Sequence, residues 1–140
     1  MGYKQYAEFL QELLPNSQKP KLVNMGLAYL VVYEEYLDLW YSLFWTDNKH
    51  PSPHGNFLAS CLLHHAVYGQ IPHHSTVIRE DMQSLWNGTR NLMYPRDGQV
   101  PYPTKKEAEY LYNVCKRVAN GYIPPSFKAI QEENGQSLYQ

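Results

Sequence analysis

The chain contains few cysteines and no excess of charge of either sign. Only Cys61 and Cys115 occur among its 140 residues, which is too few for a disulfide framework. Twelve lysines and arginines are balanced by 13 acidic residues, and the absence of a basic run argues against nucleic-acid binding. No apolar run approaches the roughly 18 residues of a membrane span. We therefore expect one soluble domain over residues 1–133, followed by a flexible polar tail over 134–140.

The beginning of the sequence also lacks the features of a secretory signal. Lys4 and Glu8 lie within a polar, aromatic stretch, with no basic segment followed by an apolar one. This absence favours an intracellular location.

Hydrophobic periodicity predicts a mainly α-helical fold with at most a minor strand. The most regular pattern begins at Thr104, where Thr104-Lys-Lys-Glu107 forms a capping box ahead of apolar residues at helical spacing. Prolines and glycines separate the other segments. Helices are predicted over 3–14, 27–38, 54–68, 76–92, 104–119 and 126–133, a possible strand over 21–25, and loops over 46–53 and 94–103.

The clearest candidate site is the segment Asp47-Asn-Lys-His50-Pro-Ser-Pro-His54-Gly55. Asp and His three residues apart on a proline-rich loop can point into the same cleft. An aspartate there can orient a histidine and stabilise its charged form while it acts as a general base. Asp47 and His50 are therefore the candidate catalytic residues.

The order of motifs around this loop resembles that of the SGNH hydrolases, also called the GDSL family. A possible strand precedes Met25-Gly-Leu-Ala28, then come Asp47-x-x-His50-Pro-Ser-x-x-Gly55 and the helix that begins near Phe57. The resemblance covers residues 20–72. It implies that the chain is a helical remnant of an SGNH-type three-layer α/β fold, with Asp47 and His50 in the triad positions, an esterase ancestry and no cofactor.

The resemblance leaves out the nucleophile. The Gly-Asp-Ser motif that carries the family's serine is absent, as are its oxyanion-hole glycine and its Gly-x-Asn-Asp block. A base without a nucleophile gives little acyl-transfer catalysis. We therefore expect a non-catalytic structural or accessory subunit of a larger assembly. The alternative is the His/Asp-bearing part of a split or fragmentary serine esterase.

Two further features bear on partners. The chain has 13 tyrosines, and Tyr and Trp are typical of protein interfaces. We therefore expect protein partners that contact the surfaces around Trp40, Trp45 and Trp86. All six histidines lie between His50 and His74, which leaves a small metal-binding protein as a weaker alternative, although no zinc-ligand spacing is present.

Overall fold

The computed structural model describes residues 2–81 and 102–133, and these residues are mainly helical. The only β-type pairing among them is an isolated antiparallel bridge between Phe44 and Pro51. A 3-10 turn at Asn16–Gln18 follows the first helix. The α-helices are α1 (Tyr3–Leu13), α2 (Met25–Glu35), α3 (Leu37–Ser42), α4 (Pro53–Tyr68), α5 (His74–Val77), α6 (Lys105–Ala119) and α7 (Pro125–Glu133).

Local capping chemistry explains where the two longest helices begin and end. The Thr104 hydroxyl accepts a hydrogen bond from the backbone N–H of Glu107, and the Glu107 carboxylate accepts one from the N–H of Thr104, at 2.6 Å. Helix α4 ends at Gly69, which has a φ of +75° that favours glycine. The structure thus confirms the predicted capping box, the predicted stop at Gly69 and the predicted positions of both helices.

The core lies where α6 packs against α4 and α2. Each of the three helices contributes one apolar face, as the hydrophobic spacing of α4 and α6 predicts. The buried side chains on these faces are Leu27, Ala28, Val31, Val32, Leu58, Cys61, Leu62, Ala108, Leu111, Tyr112, Val114, Cys115 and Val118. Within residues 2–81 and 102–133, no helix has both the length and the apolar character needed to cross a membrane.

The prediction of one continuous helix over 27–38 is wrong, because the chain breaks at Tyr36. Tyr36 has a φ of −149° and a ψ of 74°, which ends α2 and starts α3 in a new direction. The break lets Trp40 pack against Tyr33, with ring centroids 5.2 Å apart. Just before it, the Glu35 carboxylate accepts two hydrogen bonds from the Arg117 guanidinium, at 2.7 and 2.9 Å. These two contacts, of Glu35 with Arg117 on α6 and of Trp40 with Tyr33, outweigh the local preference for a continuous helix.

The possible strand over 21–25 is not formed. Residues 21–24 have no regular secondary structure and Met25 begins α2. No strand in the described part of the chain lies beside them, and the Lys21 ammonium donates to the carbonyl of Val67. Since a strand needs a partner to pair its backbone groups, the segment serves as a connector.

The helix predicted over 76–92 is wrong in its first part. Helix α5 ends at Val77, and Ile78 takes an extended conformation with its side chain buried in the core. Arg79 then pairs with Asp81 through two hydrogen bonds. Side chains two residues apart point to different sides of an α-helix, so this pair does not fit a helix here. The remainder of this predicted helix, most of the 94–103 loop and the 134–140 tail lie outside the described residues.

Leu58 tests the packing of α4 on α6. Its side chain is fully buried, whereas Leu63 on the same helix is 48% exposed. We expect Leu58→Ala to lower the free energy of unfolding by about 2–5 kcal/mol, because it removes buried methyl groups and leaves a cavity. Leu63→Ala is the matched control and should change it by less than about 1 kcal/mol. Urea unfolding followed by circular dichroism measures both, and equal effects would contradict this packing.

Candidate functional site

The candidate site lies on a closed loop that connects α3 to α4. Backbone hydrogen bonds join Ser52 N–H to the Leu43 carbonyl at 2.9 Å and Trp45 N–H to the His50 carbonyl at 2.7 Å. At the tip, Asn48 adopts a φ of +56°, a left-handed conformation that asparagine tolerates better than most residues. The predicted loop over 46–53 is confirmed except at Pro53, which begins α4, and its base is fixed on both sides.

Asp47 and His50 are in direct contact. The Nδ1 atom of His50 lies 2.5 Å from Oδ2 of Asp47. The other carboxylate oxygen, Oδ1, accepts hydrogen bonds from the backbone N–H groups of Lys49 and His50 at 2.9 and 3.0 Å. An aspartate that accepts from backbone amides two and three residues ahead forms a tight turn, which fixes the direction of the carboxylate.

This contact fixes the charge of Asp47 and indicates which nitrogen of His50 donates the hydrogen bond. The hydrogen bonds from His50 and Lys49 lower the pKa of Asp47 to about 2, so the group is a carboxylate at neutral pH. Since a carboxylate can only accept hydrogen bonds, His50 donates from Nδ1. The lone pair of the neutral imidazole then lies on Nε2, the nitrogen on the far side of the ring from Asp47. The imidazole is oriented by a carboxylate, and 79% of its side-chain surface is exposed to solvent.

Ser52 has a structural role in this loop. Its buried hydroxyl accepts hydrogen bonds from the N–H groups of His54 and Gly55, at 3.1 and 3.3 Å, and so caps α4. The same hydroxyl donates to the carbonyl of Ser42 at the end of α3. Because this oxygen makes three hydrogen bonds to backbone groups, Ser52 is not available as a nucleophile for His50.

Gly55 is required by a close approach of two chain segments. A Cβ atom built on Gly55 would lie 2.3 Å from the Leu43 carbonyl oxygen and 2.7 Å from Oη of Tyr29. Neither distance is compatible with a side chain at this position. The serine and glycine of the His-Pro-Ser-x-x-Gly pattern therefore seat the loop on α4, while Asp47 and His50 remain at its surface.

His54 is a buried ionisable residue that the sequence analysis did not assign. Its side chain is 3% exposed, and its Nε2 atom lies 3.4 Å from Oε2 of Glu107. Burial lowers the pKa of His54 and outweighs the opposing effect of the Glu107 carboxylate. Glu107 thus links the first turn of α4 to the first turn of α6. The sequence indicated only the capping role of Glu107, because His54 is 53 residues away from it.

The described residues do not complete a catalytic triad. Besides Ser52, the nearby Ser42 hydroxyl donates to the carbonyl of Asp38, and Ser75 contacts His73. No set of three or more His, Cys, Asp or Glu side chains in the described ranges could hold a metal ion. The loop therefore offers a base and its orienting carboxylate, while the hydroxyls of Ser42, Ser52 and Ser75 have other partners.

An aromatic cluster lies next to this loop. Trp40 packs edge-to-face against Tyr33, Tyr41 and Phe44, and the backbone of Phe44 pairs with Pro51. Trp40 and Trp45, which were expected at a partner contact, are partly buried, and Trp86 lies outside the described residues. Among the residues whose side chains the structure describes, the exposed aromatic ones are Tyr6, Phe9, Tyr33, Tyr36, Tyr41 and Tyr68.

Comparison with known proteins gives no relative: no family model, curated protein or solved structure matches the chain.

Gly55→Ala tests the seating of the loop on α4. We expect a loss of about 1–3 kcal/mol in the free energy of unfolding, because the new methyl group must displace the Leu43 carbonyl or the Tyr29 ring. Gly26→Ala on α2 is the matched control, since no atom lies within 4 Å of its Cβ position, and it should be neutral or slightly stabilising. Chemical denaturation gives both values. Two variants of equal stability would rule out the close approach at Gly55.

The buried His54 predicts a pH dependence of stability. Its pKa is lower in the folded chain than the ordinary value of 6.5, so the unfolded chain binds more protons as the pH falls through that value. Stability should therefore decrease between pH 7.5 and pH 5.5, roughly the range in which an ordinary histidine titrates. His54→Gln should flatten this part of the profile, whereas His73→Gln, at an exposed position, should leave it unchanged. Urea midpoints across this range measure the slope, and an unaltered slope in His54→Gln would refute the assignment.

Proposed function

We propose that this chain supplies the Asp–His half of a serine esterase site of the SGNH type. In this proposal a polypeptide segment outside these 140 residues brings the nucleophilic serine and the oxyanion hole. His50 is the general base, and Asp47 orients it and stabilises its protonated form. Sequence alone favoured a non-catalytic subunit; the geometry of the loop favours the half-site.

The observation that carries this proposal is the 2.5 Å contact between His50 Nδ1 and Asp47 Oδ2. A surface histidine and aspartate without a role gain little from such a contact, because solvent screens it. Here two backbone amides also hold the carboxylate, so that the pair is arranged before any partner binds. Such preorganisation is what a general base and its orienting carboxylate require.

The exposure of His50 supports the need for a second segment. Base catalysis requires a serine oxygen within about 3 Å of Nε2. The imidazole is open to solvent, and the two nearest serines in the sequence bond to backbone groups elsewhere. A serine on an incoming segment could therefore reach Nε2 without rearrangement of the helices.

The test compares the chain alone with the chain expressed together with the coding sequence upstream of it. Alone, the chain should not react with a fluorophosphonate probe, and it should not hydrolyse p-nitrophenyl acetate faster than His50→Ala. With the upstream segment, we expect one serine to be labelled. His50→Ala should abolish turnover, and Asp47→Asn should reduce kcat by roughly 10³–10⁴-fold, because the imidazole loses its fixed tautomer.

The control is His73→Ala, which removes an exposed histidine outside the loop and should leave turnover unchanged. Labelling of a serine in the chain alone would overturn the half-site proposal, because the nucleophile would then be internal. Turnover that persists in His50→Ala would overturn the assignment of the base.

The second candidate is the non-catalytic accessory subunit expected from sequence. It is favoured by apolar side chains left open on two helices: Phe9 and Leu13 on α1, and Leu63 and Val67 on α4, each about half exposed or more. Exposed apolar groups grouped in this way are typical of surfaces that bind another protein. If the chain binds its partner and no serine is labelled in the complex, this second function replaces the first.

A further inference from the structure

The two cysteines of the chain lie on the two helices that make the main helix–helix contact of the core. Cys61 is on α4 and Cys115 is on α6, with exposed fractions of 2% and 0%. Both are free thiols. The proposed function uses neither of them.

The two thiols lie side by side across this interface. The Cys115 thiol donates a hydrogen bond to the backbone carbonyl of Leu58, with a sulfur–oxygen distance of 3.4 Å. In an α-helix the carbonyl of one residue points towards residues three and four positions further on, which here are Cys61 and Leu62. The Cys115 sulfur therefore lies beside the turn of α4 that carries Cys61.

We propose that Cys61 and Cys115 form a disulfide-competent dithiol, which a low-molecular-weight disulfide such as oxidised glutathione converts into a covalent link between α4 and α6. This inference is independent of the proposed function. The link would tie α6 to the helix that begins directly after the Asp47–His50 loop.

The reaction is thiol–disulfide exchange in two steps. The thiolate of one of the two cysteines attacks one sulfur of oxidised glutathione, which forms a mixed disulfide and releases one glutathione thiolate. The thiolate of the other cysteine then attacks the cysteine sulfur of this mixed disulfide and releases the second glutathione thiolate. The two cysteines are oxidised, one oxidised glutathione is reduced, and the two cysteine protons end on two glutathione thiols.

The thiolate is the attacking species, and either cysteine can supply it once the sulfurs are accessible. Because both thiols are buried, exchange requires an opening of the α4–α6 contact or takes place during folding.

The test is refolding of the reduced, full-length chain in a mixture of reduced and oxidised glutathione, followed by an acid quench. We expect a monomer that is lighter by two hydrogen atoms, with Cys61 and Cys115 joined in a non-reducing peptide map. The melting temperature of this species should exceed that of the same protein in dithiothreitol by the order of 10 °C, because the link restricts the unfolded chain.

Cys61→Ala and Cys115→Ala are the matched controls. Each should fold, as judged by circular dichroism, and should leave a single cysteine that is free or carries glutathione. If either variant fails to fold, the peptide map of the wild-type chain still identifies the linked pair directly. Two free thiols, glutathione adducts alone or disulfide-linked dimers in the refolded wild type would overturn the proposal, as would a cross-linked monomer less stable than the reduced one.

Discussion

A single hydroxyl group, that of Ser52, joins the loop carrying Asp47 and His50 to the helix behind it. It accepts from two N–H groups at the start of α4 and donates to the carbonyl that ends α3. Three backbone groups that would otherwise be unsatisfied near the core are paired by one side chain. The loop can then be short and closed, and its tip can present an imidazole to solvent in one orientation. Without this hydroxyl, the loop would be held at its base only by the backbone hydrogen bonds between Ser52 and Leu43 and between Trp45 and His50.

Much of the site could be predicted from sequence because its determinants are local. The Asp47–His50 pair, the cap of α6 and the glycine stop at Gly69 all depend on residues within four positions of one another. Features set by distant residues were missed. The break at Tyr36 depends on packing against Tyr110 and on the pairing of Glu35 with Arg117. Residues adjacent in space but far apart in sequence leave no periodic signal in a single sequence.

Helix α4 contacts the candidate loop, the core and the solvent at three different places along its length. Its first turn is fixed by Ser52 and by the contact of His54 with Glu107, its middle carries Cys61 against α6, and its outer face leaves Leu63 exposed. A partner that covered the exposed apolar side chains of α4 would therefore contact the same helix that follows the Asp47–His50 loop.

The different structural roles of the residues in this loop have an evolutionary consequence. The ion pair of Asp47 with the exposed His50 adds little to stability, whereas Ser52 and Gly55, a few residues later, are constrained by a cap and a close backbone approach. A lineage could lose either of the first pair without unfolding, but not readily the second. The loop structure set by Ser52 and Gly55 would therefore persist after Asp47 and His50 had been replaced. In such a chain, two substitutions at positions 47 and 50 would be enough to restore the Asp–His pair.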